Sequence, residues 1–150
     1  MLFLFLILFA WRSQAELVIT MGGDVNFNES EQPPQAETVL AHGRNYKWQD
    51  LTTGIKDLIN GDINFANIET VITDEVNLVP QEKEFVFRSH PNSIRHMLDL
   101  GLNMLSLANN HAFDYGRDGI EETLKNVGLM QSEYHILQYA GVGRNLNEVS

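Results

Sequence analysis

The sequence predicts an α/β fold with a parallel-rich sheet, and three observations carry that prediction. Residues 17–21, 63–68 and 102–107 are apolar or β-branched runs of strand length. Each run ends abruptly in polar residues, as strands do where they deliver side chains to a crevice at their carboxyl ends. The third observation is the helical periodicity of residues 91–100 and 118–127, which alternates with the strands and provides crossover connections for a parallel sheet.

Residues 1–15 stand apart. Residues 2–11 are almost unbroken apolar sequence, and Ser13-Gln14-Ala15 follows with a small-x-small pattern. The run is too short for a bilayer core, which needs about 20 residues. It reads as a secretory signal peptide cleaved after Ala15, or as an uncleaved anchor; no Lys or Arg precedes it. The protein is therefore expected to be exported: periplasmic, at the cell surface or membrane-associated.

The run 17–21 then reads as a buried strand carrying Gly22, Gly23 and Asp24 at its exit. Residues 28–35 are polar and contain Pro33 and Pro34, marking an exposed loop, and His42 beyond it reads as a solvent-facing residue, with a substrate contact as the alternative. Residues 52–61 suggest a short helix with a Thr cap and Gly61 as its stop. In the second strand, 63–68, side-chain alternation puts Asn67 and Glu69 on the same side at the exit. Residues 73–84 form a polar loop, and 85–89 an extended segment containing Arg88. Arg88 suits bidentate binding of a phosphate or carboxylate, and equally an ion pair with one of the chain's acids. Pro91 opens a helix that Gly101 stops, while His90 and His96 belong to no motif and read as structural. The third strand, 102–107, leads into Asn109-Asn110-His111 and then Asp114-Tyr115-Gly116. The helix at 118–127 ends at Gly128, and residues 139–145 begin another strand and turn. Gly141-Val142-Gly143 lacks the third glycine of a dinucleotide fingerprint.

Composition narrows the partners. The 150-residue chain is 43% hydrophobic and 20% charged, enough for a globular core. A net charge of −10 argues against nucleic acid and against electrostatic docking on anionic lipid. The chain has no cysteine, so disulfides and thiolate metal sites are excluded.

The polar residues at the strand exits suggest chemistry. Asp24, Glu69, Asn110 and His111 form a donor set that suits Mn, Mg, Fe or Zn as a divalent cofactor. Such an ion polarises an oxygen and activates water. His111 is placed to act on a leaving group, with Asp114 accepting its other ring N–H. Asn67, Arg88 and Asn109 are the candidate substrate contacts. The alternative is that the Asn residues cap a turn and His111 is an ordinary surface residue.

The string Asn110-His111-Ala112-Phe113-Asp114-Tyr115-Gly116 resembles the Asn-His-Glu-Phe-Asp-x-Gly block of calcineurin-like metallophosphoesterases. With Ala108 and Asn109 in front, it is closer still to the CapA-type poly-γ-glutamate capsule biosynthesis family. Asn67-Ile68-Glu69, Phe87-Arg88-Ser89-His90-Pro91 and Gly141-Val142-Gly143-Arg144-Asn145-Leu146 are similar to stretches of that family. Where metallophosphoesterases begin with Asp-x-His, this chain has Asp24-Val25-Asn26, a departure the CapA-type family shares. The resemblance implies a metallophosphoesterase-like α/β sandwich, of which residues 16–150 are an amino-terminal portion. A later His-x-Gly-x-Glu block would complete the site. It implies a role in poly-γ-glutamate capsule synthesis or export at the envelope, with capsule-synthesis membrane proteins as partners and an anionic polymer or phosphoester as substrate. The alternatives are a nucleotidase-like, metal-dependent hydrolase of phosphate esters or γ-linked amides, and an inactive truncated relative.

Overall fold

The computed structural model describes residues 16–27, 36–41 and 43–145. The leader, the loop at 28–35 and His42 lie outside the described residues. Eight strands are β1 (Ile19–Val25), β2 (Thr38–Ala41), β3 (Arg44–Lys47), β4 (Ile63–Ile68), β5 (Val71–Ile72), β6 (Arg88–Ser89), β7 (Met104–Ser106) and β8 (Gln138–Ala140). Three helices are α1 (Trp48–Thr52), α2 (Pro91–Asp99) and α3 (Gly116–Glu133), with a 3₁₀ turn at Lys56–Leu58.

The main sheet has the order β1-β4-β7-β8, and all its pairings are parallel. β2–β3 is a separate antiparallel pair and β5–β6 a separate parallel one. The fold is therefore α/β with a parallel sheet, consistent with an α/β sandwich. The core lies on one face of the main sheet. Ala66, Ile68, Leu105 and Leu107 pack there against Ile94, Met97 and Leu98 of α2 and Val127 and Met130 of α3. The opposite face carries Ile63, Phe65 and Asn67 of β4, each half-buried, beside the half-buried Met104 and Ser106 of β7.

The helix starting at Pro91 has the expected start and stop. His90 caps it by accepting the Asn92 N–H on its ring Nδ1 at 3.1 Å, Pro91 occupies the first turn, and Gly101 takes φ +110°. His96 ties α2 to α1 through its Nε2 and Thr52 Oγ1, 2.8 Å apart. Both histidines are thus structural, as the sequence suggests.

Several expectations need correction. The strand at 17–21 was expected to be buried, yet Ile19 is 54% and Met21 74% exposed. Among the described residues, β1 is an edge of the sheet. A groove of about 330 Å³ opens there instead, between the strand and Ile55, Leu58 and Met97. The helix expected at 52–61 is a 3₁₀ turn preceded by α1, so Thr52 ends a helix rather than starting one. Its hydroxyl bonds back to the Trp48 carbonyl at 3.0 Å. Gly128 does not end α3. The buried stripe of Thr123 and Val127 continues to Met130, and tertiary packing outweighs the roughly 1 kcal/mol that glycine costs in a helix.

Candidate functional site

The site lies at the carboxyl ends of β1, β4 and β7, and a one-residue irregularity decides its composition. Met21 pairs with Phe65, but Asp24 pairs with Asn67, so Gly22 and Gly23 together stand opposite the single residue Ala66. In a regular ladder Gly23 would face Asn67, and Asp24 would point with Ile68 into the helix-covered core. The bulge shifts the alternation by one and turns Asp24 to the side of Asn67. Two glycines suit such a position because they leave the bulged backbone unobstructed.

From Asp24 a ladder of amides runs across the strand ends. Asn67 Nδ2 donates to Asp24 Oδ1 at 2.7 Å, and Asn109 Nδ2 donates to Asn67 Oδ1 at 3.2 Å. Asn109 Nδ2 also donates to the Ile68 carbonyl at 2.9 Å, and its Oδ1 accepts the His111 backbone N–H at 3.0 Å. Asn109 thus has both amide protons and its oxygen engaged. It buttresses the turn before His111. Asn67 keeps one N–H for a ligand.

His111 is buried and stacks on Phe87, with ring centroids 4.0 Å apart and planes 24° from parallel. Its Nδ1 lies 2.6 Å from Asp114 Oδ2, the contact expected from the three-residue spacing. Asp114 is completely buried. Its Oδ2 also accepts the Phe87 N–H at 2.6 Å, and its Oδ1 is bound by Lys83 Nζ. The carboxylate accepts but does not donate, so the imidazole carries its proton on Nδ1 and turns Nε2 outward. Among the described residues, Nε2 has no hydrogen-bond partner.

The other sequence candidates are placed differently. Arg88 is only 6% exposed; its guanidinium reaches the carbonyls of Glu75 and Val76 and lies 5.3 Å from the Tyr115 ring centroid. It secures the loop after β5. Asn110 lines an open cleft with Gln81, Glu82, Lys83 and Phe113, and its carbonyl accepts from Lys83 at 2.8 Å. Glu69 is half-buried, its backbone N–H held by the Val25 carbonyl at 3.0 Å. Asn26, at the place of the absent histidine, accepts from the Ser89 hydroxyl at 3.2 Å. Among the described residues, no three His, Asp or Glu side chains gather closely enough to hold a metal ion.

Sequence reasoning missed Lys83 and Phe87. Phe87 lies in the Phe-Arg-x-x-Pro-like stretch, but nothing local marks its stacking role. Lys83 lies in a polar loop, and only the fold brings it to Asp114.

Comparison with known proteins agrees with the motifs. A family model described as bacterial capsule synthesis protein PGA_cap matches residues 18–150. The chain is 26% identical over 140 residues to the capsule biosynthesis protein CapA of Bacillus anthracis, a match covering 92% of this chain and 31% of the relative. It is 34% identical over 59 residues to the PGA biosynthesis protein CapA of Bacillus subtilis, covering 39% of this chain and 16% of that protein. A probable polyglutamine synthesis accessory protein of Mycobacterium tuberculosis is 32% identical over 63 residues, covering 42% and 16%. The matches thus span less than a third of the length of each of these relatives.

Proposed function

The chain belongs to the bacterial capsule synthesis protein family PGA_cap, and from that premise we propose that it serves poly-γ-glutamate synthesis or export at the cell envelope, with His111 as its acting group. The observation that carries this reading is the buried Asp114–His111 pair, whose imidazole keeps one nitrogen unpartnered among the described residues. An imidazole held this way can take a proton from a nucleophile and return it to a leaving group. On a γ-linked amide, the proton would go to the leaving nitrogen; on a phosphoester, to the leaving oxygen. The second Asn67 N–H and the other oxygen of Asp24 are proposed to orient the substrate from the neighbouring strand ends.

Asp24, Glu69, Asn110 and His111 are the residues proposed to contribute donors to a divalent ion, and no proton transfer here depends on it. If held, it would add Lewis-acid polarisation of the attacked group. The envelope setting is supported by the apolar run at 2–11, and capsule-synthesis membrane proteins are the partners proposed with it. Among the described residues, no helix is long and apolar enough to cross a membrane.

The test compares wild type with His111→Gln, measuring poly-γ-glutamate binding, hydrolysis of that polymer and of a generic phosphodiester, and metal content. The expected result is polymer binding by both proteins, with turnover lowered by roughly 10²–10⁴-fold in the variant, the usual weight of a general acid–base group. Binding without turnover in the wild type would favour an accessory, non-catalytic role. Absence of both binding and turnover would refute the proposal.

A further inference from the structure

We propose that Lys83 is the positioning residue of the His111 imidazole. This rests on the reading of His111 as the acting group and names the residue that fixes which way its ring presents itself. A carboxylate removed from water is costly unless it is paired in charge and hydrogen-bonded, and Asp114 has no exposed surface. Two donors, His111 Nδ1 and the Phe87 N–H, converge on Oδ2. Lys83 supplies both the partner of Oδ1 and the opposite charge.

The same ammonium donates to the Asn110 carbonyl at 2.8 Å. One cation thus clamps the carboxylate of Asp114 and the backbone immediately before His111. A carboxylate held through one oxygen can pivot about its Cβ–Cγ bond. Held through both, it presents Oδ2 to the ring in one direction, and the ring must place its proton on Nδ1. The Lys83 side chain is 35% exposed, so it reaches this position from the surface loop between β5 and β6. That loop is separated from the motif by 31 residues, counted from Lys83 to Asp114.

The experiment uses the 150-residue chain labelled with ¹⁵N-histidine at about pH 8, well above the ordinary imidazole pKa of ~6.5. Ring correlations of His111, assigned by their loss in His111→Gln, report which nitrogen carries the proton. The expected wild-type pattern is a single Nδ1–H form. In Lys83→Met it should give way to a mixture of both tautomers, and Lys83→Arg should restore it. If Lys83→Met fails to fold, Lys83→Gln, an uncharged donor, carries the test and should retain the single form only in part. An unchanged His111 pattern in the folded Met or Gln variant overturns the proposal. So would a loss of polymer binding with an unchanged ring, which would make Lys83 a substrate contact. The two readings fail separately: full turnover in His111→Gln would remove the acid–base role without altering the ring signals of the Lys83 variants.

Discussion

Asp114→Asn tests the buried centre most directly, because its cost follows from counting donors and acceptors. The wild-type carboxylate accepts from three donors: Lys83 Nζ, His111 Nδ1 and the Phe87 N–H. Asparagine offers one acceptor oxygen and one NH₂ group. With its oxygen toward His111 and Phe87, the NH₂ confronts the Lys83 ammonium. Turned the other way, it faces the Phe87 N–H, donor against donor. Either orientation leaves a donor without a partner, and an unsatisfied buried group costs about 1–3 kcal/mol. Lys83 can recover water because it is partly exposed, which makes the first orientation the cheaper one. For a chain of this length, 1 kcal/mol corresponds to roughly 2–4 °C in Tm, so a fall of about 2–12 °C is expected. Thermal and urea unfolding followed by circular dichroism would measure it, with unchanged far-ultraviolet spectra at low temperature. A variant within about 0.5 kcal/mol of wild type, the range of neutral surface changes, would show that the three contacts do not act together on one buried charge.

Two further outcomes follow from the fold. Burial lowers the pKa of His90 from its ordinary 6.5, with Asp74 opposing the shift and Arg95 adding to it. The neutral ring is also the form that can accept the Asn92 N–H at the start of α2. The unfolded chain therefore binds this proton more readily, so the stabilisation is complete above about pH 6.5 and declines as pH falls towards the lowered folded value. His90→Asn supplies a cap without this titration and should flatten the stability–pH curve in that window; parallel curves for the two proteins would contradict the assignment. Gly141→Ala should destabilise by at least about 2 kcal/mol in denaturant titration, from strain and overpacking combined. Gly141 has φ +115°, and an added Cβ would lie 2.4 Å from the Ala108 backbone nitrogen. A near-neutral result would mean that β8 and the motif strand can move apart freely.

What the sequence revealed depended on the range of each interaction. β4 is visible because alternation and composition agree over all six residues, and its bounds coincide with the expected 63–68. The Asp114–His111 contact is visible because three residues around a tight turn set its geometry. Arg88 was ambiguous, since its partners, the Glu75 and Val76 carbonyls and the Tyr115 ring, are set by how the loop after β5 folds back. Lys83 gave no local signal for the same reason. The sequence places Gly22 and Gly23 at the strand exit, and only strand register shows them to form a bulge that decides the side on which Asp24 appears. Gly128 looked like a stop because local propensity was weighed without Met130, which is completely buried two residues later.

Among the described residues, β1 is an edge strand with Ile19 and Met21 exposed, whereas His111 and Asp114 are buried. Edge segments with few apolar contacts open locally at a small fraction of the free energy of global unfolding. Asp24 travels with β1, whereas Asn109, His111 and Asp114 are anchored by the strand and turn behind them. Brief fraying would withdraw the carboxylate while leaving the imidazole in place. Anything that pairs with β1 along its outer side would suppress that breathing and hold the Asp24 carboxylate against Asn67.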